Sequence, residues 1–102
     1  MKVQLLYFDG CPNWEIMLST LREFLGEKSP PVAVDLVRVD TQKTAERWSF
    51  RGSPTVLIDG EDPFLDSDAP IGLSCRIYRT PAGLAGSPSR EQLEEIAGRG
   101  GP

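Results

Sequence analysis

Apolar positions along the chain follow two alternating periods. Residues 2–8, KVQLLYF, are a β-rich run whose last part is continuously apolar, the pattern of a strand covered on both faces. Asp9-Gly10 ends the run as a turn pair. From Pro12 the period lengthens: Trp14, Leu18, Leu21 and Leu25 fall on one side with Met17 and Phe24 beside them, while Glu15, Ser19, Arg22 and Glu23 fall on the other. This spacing predicts an amphipathic helix with a wide buried face, closed by Gly26 and Ser29-Pro30-Pro31.

Residues 32–39, VAVDLVRV, are β-branched and predict a second strand. Asp40-Thr41 opens a short helix in which Ala45 and Trp48 face inward, and Gly52-Ser53-Pro54 breaks it. PTVLIDG predicts a third strand ending at Asp59-Gly60. Residues 61–74 are acidic, contain two prolines and read as an unusually long loop. CRIYRT, from Cys75, predicts a fourth strand of alternating character, and PAGLAG turns the chain. The last helix carries Ser87 as a cap with Pro88 in its first turn, Ser89 to Gln92 as a capping box, and a narrow stripe of Leu93, Ile96 and Ala97.

The expected order is therefore β-α-β-α-β-β-α, an α/β fold. Strands separated by helices are expected to be parallel neighbours, and the last two strands an antiparallel pair. One domain over 1–97 and a flexible tail over 98–102 account for the chain.

Composition narrows the function classes. With 102 residues, 39% apolar and 25% charged, the chain fits one ordinary globular core. A net charge of −4, with scattered basic residues, argues against nucleic acid or an anionic membrane as partner. The apolar runs are too short for a membrane helix, and the first residues enter a strand pattern without a signal-peptide core, so a cytoplasmic location is expected. The chain has no histidine, which excludes Ser-His and Cys-His nucleophile pairs and His-ligated metal sites. Its two cysteines, Cys11 and Cys75, are expected as free thiols in a reducing compartment. Asp59, Glu61, Asp62, Asp66 and Asp68 have no EF-hand spacing and read as a solvated loop, so no metal site is expected.

Cys11 stands between the first strand and the first helix. A thiol there meets unpaired N–H groups and the positive end of the helix dipole, both of which favour the nucleophilic thiolate. The alternative is a small buried residue in a turn. Pro12 suits the first helical turn. Asp9, two residues away, opposes thiolate formation or accepts its proton, unless it only shapes the Asp-Gly turn. Trp14 shields the sulfur, stacks on a substrate or, as its helical spacing with Leu18 and Leu21 favours, packs in the core. Arg51 either meets a substrate carboxylate or stays solvated.

The order of elements, with a cysteine at the first strand-to-helix junction, resembles the thioredoxin fold. ERWSFRGSPTVLIDGE (46–61) resembles the stretch in which a short helix, an Arg-Gly pair and an X-Pro-Thr step lead into the third strand. VRVDTQKTAERW and GSPSREQLEEI resemble the second strand with its helix and the passage into the last helix. The layout YFDGCPNW … RGSPT … CRIYRT is similar to small bacterial thioredoxin-like proteins, some of whose relatives carry selenocysteine. The resemblance implies a four-stranded mixed sheet with helices on both faces. It also implies a cis Ser53-Pro54 bond, with the Ser53 backbone facing Cys11 and free to pair with an extended substrate. Two departures stand out. The fourth position of Cys11-Pro12-Asn13-Trp14 is not cysteine, and the first strand lacks the buried acid.

The chemistry expected from this pattern is single-thiol exchange: Cys11 attacks, and Pro12, Trp14, Arg51, Ser53, Pro54 and Thr55 bind the substrate. The partner is a disulfide-containing protein or small thiol, without a resident cofactor. An external thiol, or Cys75 as a second thiol, resolves the mixed disulfide. An antiparallel fourth strand, however, puts Cys75 at the far end of the sheet, about 15 Å away at ~3.3 Å per residue. That is beyond the ~7 Å that a disulfide tolerates. The rival classes are a non-catalytic binding module using the same groove and a soft-metal thiol site.

Overall fold

The computed structural model describes residues 1–98. Residues 99–102, most of the expected tail, lie outside the described residues. Strand β1 (Val3–Tyr7) leads through Cys11 into helix α1 (Asn13–Gly26). Strand β2 (Val34–Arg38), helix α2 (Gln42–Trp48) and strand β3 (Thr55–Ile58) follow. A hairpin of β4 (Tyr78–Thr80) and β5 (Gly83–Ala85) precedes α3 (Arg90–Leu93), which runs into a π-helical turn, Glu94–Gly98. The chain is thus an α/β protein, and no helix among the described residues is long and apolar enough to cross a membrane.

The main sheet has the order β2-β1-β3. β1 runs parallel to β2, with Leu5 opposite Leu36, and antiparallel to β3, with Leu5 opposite Val56. Alternation along β1 then feeds two cores. Val3 and Leu5 pack with Met17, Leu21 and Leu25 of α1 and with Leu93 and Ala97. Leu6 packs on the opposite side with Val39, Ala45, Phe50 and Leu57. Helices therefore cover both faces of the central strand, as its apolar run requires.

Local chemistry sets the helix ends. Thr41 caps α2 by accepting from Thr44 N at 3.1 Å, and Ser49 leaves the helix in the left-handed conformation, φ 53°. Ser89 and Gln92 form a reciprocal capping box at α3, with Ser89 N to Gln92 Oε1 at 2.9 Å and Gln92 N to Ser89 Oγ at 3.2 Å. The cap of the last helix is thus Ser89 and not Ser87.

Two expectations about the sheet require correction. Parallel pairing holds for β1 and β2 but not for β3, which turns antiparallel to β1. The four-stranded sheet is not formed: three strands make the main sheet, and CRIYRT joins it only at one isolated parallel bridge, Ser53 to Cys75. Its later residues pair instead with Gly83–Ala85, in the stretch expected to be a turn. Thr80 holds that hairpin, donating to Gly83 O at 2.6 Å and accepting from Ala82 N at 3.2 Å.

Candidate functional site

The turn after β1 brings Cys11 to the mouth of α1. Cys11 N donates to Phe8 O at 3.3 Å, Pro12 caps the helix, and no side chain caps its first turn. Cys11 is completely buried. Across from it, Phe8 N donates to Ser53 Oγ at 3.3 Å, which ties the end of β1 to the Ser53-Pro54 step, a cis peptide bond.

Cys75 sits against this step. The loop over 61–74 folds back beside Ser53, so that Ser53 N donates to Ser74 O at 2.8 Å and Arg76 N donates to Ser53 O at 2.9 Å. Cys75 and Cys11 form a disulfide, with Cα atoms 5.7 Å apart. This corrects two expectations: the cysteines are not free thiols, and Cys75 is not at the far end of the sheet. The physical reason is direction. The segment at Cys75 runs parallel to that at Ser53, because the long loop returns the chain to the start of β3 before the strand begins. The Ser53 backbone is consequently not open to a substrate, since residues 74–76 take both its N–H and its C=O.

A polar cluster fastens this segment from behind. Arg76 is buried and forms an ion pair with Asp62, Nη1 to Oδ2 at 2.7 Å, while its Nη2 donates to Phe64 O at 2.5 Å. Arg76 Nη1 also donates to Thr55 Oγ1 at 3.1 Å, and Thr55 in turn donates to Gly52 O at 2.7 Å. The guanidinium carbon lies 4.8 Å from the centre of the Tyr78 ring, and the Tyr78 hydroxyl donates to Pro54 O. Thr55 is therefore a buried bracket for Arg76 rather than a surface group facing a substrate.

The other expected site residues divide. Trp14 stacks on Tyr7, with ring centroids 4.2 Å apart, and packs against the α1 core, its core alternative. The Asp9 carboxylate is ion-paired with Arg38 at 2.5 Å. Arg51 is half-buried and holds the loop, donating to the carbonyls of Ser67 and Ala69, while its buried Nε has no partner among the described residues. A cavity of about 640 Å³ opens beside the disulfide, with Arg51, Leu65, Asp66, Cys75, Ile77 and Arg79 in its lining. Cys11 is not in that lining.

No family model, no curated protein and no solved structure matches the chain. The chemistry of the site rests on its own geometry. The bonded sulfurs can accept a thiolate, open and close again. Reduced, the same two sulfurs would be neighbouring soft donors, but no group of three or more His, Cys, Asp or Glu side chains among the described residues could complete a metal site.

Arg76, Asp62, Tyr78 and Gly52 are absent from the expected site residues, although each holds the segment of Cys75 in place. Gly52 carried a signal, since it stands directly before Ser-Pro. Its φ is +120°, and a Cβ there would lie 3.0 Å from Arg76 Cβ and 3.2 Å from both Arg76 N and Ser74 O. Gly52→Ala is expected to lower the unfolding free energy by about 1–3 kcal/mol, through backbone strain and displacement of residues 74–76. Urea denaturation of the oxidised protein measures this, and an unchanged midpoint would show that the segment yields freely.

Burial holds the Tyr78 hydroxyl far above its ordinary pKa of 10.0; nearby Arg76 pulls it down, and Asp62 adds to the rise. The folded chain keeps this proton at pH values where the unfolded chain releases it. The contribution to stability is thus complete below about pH 10 and falls as pH rises above it. Denaturation between about pH 9 and pH 11 should show a steeper loss for the native chain than for Tyr78→Phe. Equal slopes would mean that the phenol ionises in place.

Proposed function

We propose that the chain is a thioredoxin-like thiol–disulfide exchange protein that works through the Cys11–Cys75 pair. The observation that carries this reading is the disulfide between a cysteine at the start of α1 and one lying on the residue before Pro54, with Cα atoms 5.7 Å apart. A second thiol inside the chain removes the need for an external resolving thiol, so the chemistry is that of a dithiol rather than a single thiol. The partner is a protein or small molecule carrying a thiol or disulfide. In the cytoplasm, the expected location, disulfides are mostly transient and used in redox chemistry.

The thioredoxin-like reading of the fold is supported by the Cys11 junction, by β1 between parallel β2 and antiparallel β3, and by the Ser53-Pro54-Thr55 step. Within that reading, Trp14, Arg51 and Thr55 shape the site from behind, and Ser53 seats the chain's own cysteine segment. A binding module that docks a peptide on the Ser53 edge would need that edge open, and residues 74–76 fill it.

Equilibration of the full chain in thiol/disulfide buffers, read as the mass of the alkylated protein, tests the proposal. An exchange-active pair is expected to have a midpoint above about −300 mV, the value below which structural disulfides typically lie. A pair that opens only well below that value is a structural staple, and the exchange reading then fails.

A further inference from the structure

The two half-cystines differ in access: Cys11 is completely buried, whereas Cys75 is exposed and lines the cavity. We propose that Cys75, not Cys11, is the sulfur that meets the substrate, and that the substrate is a cysteine in an extended peptide. This inference rests on the exchange reading and assigns the two sulfurs their roles.

The backbone at Cys75 supports the peptide class. Ser74 C=O and Arg76 N–H point to Ser53, so strand alternation turns the N–H and C=O of Cys75 itself to the opposite side. No described residue takes either group. An extended segment placed there pairs with Cys75 as with an open sheet edge and brings its own cysteine beside the Cys75 side chain. Leu65 and Ile77, 60% and 68% exposed, line the same cavity and offer apolar contact to neighbouring side chains of the peptide.

The step balances without another reagent. A peptide thiolate attacks Cys75 Sγ, a peptide–Cys75 disulfide forms, and the Cys11–Cys75 bond breaks with its electron pair leaving on Cys11. Cys11 departs just ahead of α1, whose first turn has no side-chain cap and whose dipole presents its positive end to the departing charge. A second peptide thiolate then attacks the peptide sulfur and releases Cys75 as thiolate. Two peptide thiols are oxidised to one disulfide, and the protein is reduced to its dithiol. In reverse, Cys75 attacks a peptide disulfide and Cys11 resolves it.

The test uses the oxidised, full-length wild-type chain. It is mixed with a short peptide carrying one central cysteine, quenched with excess N-ethylmaleimide and mapped by mass spectrometry. The expected product carries the peptide on Cys75 and maleimide on Cys11. The same peptide with N-methylated amides beside its cysteine should react about fivefold more slowly, the value of roughly one backbone hydrogen bond. Peptide found on Cys11 overturns the assignment of roles while exchange itself stands. Equal rates for the two peptides overturn the peptide edge. If the protein stays oxidised with both peptides, the exchange reading fails and takes the proposal with it.

Discussion

Reducing the Cys11–Cys75 bond lowers the unfolding free energy by about 4 kcal/mol. The sequence separation is 64 residues, and cross-linking a loop of that size removes roughly this much entropy from the unfolded chain. Domains of this kind are stable by only about 5–15 kcal/mol, so the loss moves a large share of the total. Urea titrations with and without a phosphine reductant measure it, and Cys75→Ser should match the reduced form. A difference under about 1 kcal/mol would mean that native contacts were distorted to close the bond. The reduced chain is still expected to fold, because the Arg76 cluster, the Ser53 hydrogen bonds and both cores do not depend on the sulfur bond.

Arg76→Met produces a loss of comparable size, about 3–5 kcal/mol, by a different route. Arg76 and Asp62 keep side-chain exposures of only 8% and 13%, and removal of the guanidinium strands a carboxylate in a poorly hydrated place. The same change leaves Phe64 O without its Arg76 donor and takes one hydrogen bond from Thr55. Replacing the partner as well, in Arg76→Met with Asp62→Leu, should recover much of the loss, since a buried pair contributes far less than one orphaned charge costs. Chemical denaturation of the three proteins decides this. A single-variant loss below about 1 kcal/mol would place the pair with ordinary surface bridges. Because Arg76 adjoins Cys75, the single variant should also open its disulfide faster to dithiothreitol.

The elements built on local rules were legible in the sequence. The apolar run of β1, the stripe of α1, Thr41 ahead of α2 and the Ser89–Gln92 box all encode their structure within a few residues. The 75–80 run was legible as alternating, but its alternation inverts ordinary hydropathy. Arg76 and Tyr78 turn inward, while Ile77 is exposed. Hydropathy cannot reveal that inversion, because the compensating group is Asp62, in a loop that composition marks as solvated. Cys75 failed for a related reason. The path of residues 61–74 is set by Arg51 on the Ser67 and Ala69 carbonyls and by Asp62 on Arg76, contacts between residues 14 to 18 positions apart. A free loop over 61–74 implies a simple hairpin, in which the fourth strand runs antiparallel to the third and Cys75 lies at the far end of the sheet. The candidate site was thus half legible: the junction cysteine and the Ser53-Pro54 step were evident, and the segment that meets them was not.

The separation between the two cysteines also has a consequence for biosynthesis. Cys11 is made 64 residues ahead of Cys75. At about 5–20 residues per second, roughly 3–13 s pass before the ribosome adds its partner. Throughout that interval the nascent chain holds one unpaired thiol, and the segment that will lie on Ser53 does not yet exist. Only chains translated through residue 78 contain all the residues that hold Cys75 beside Ser53, and products truncated before residue 75 carry a lone Cys11 that the finished protein keeps buried.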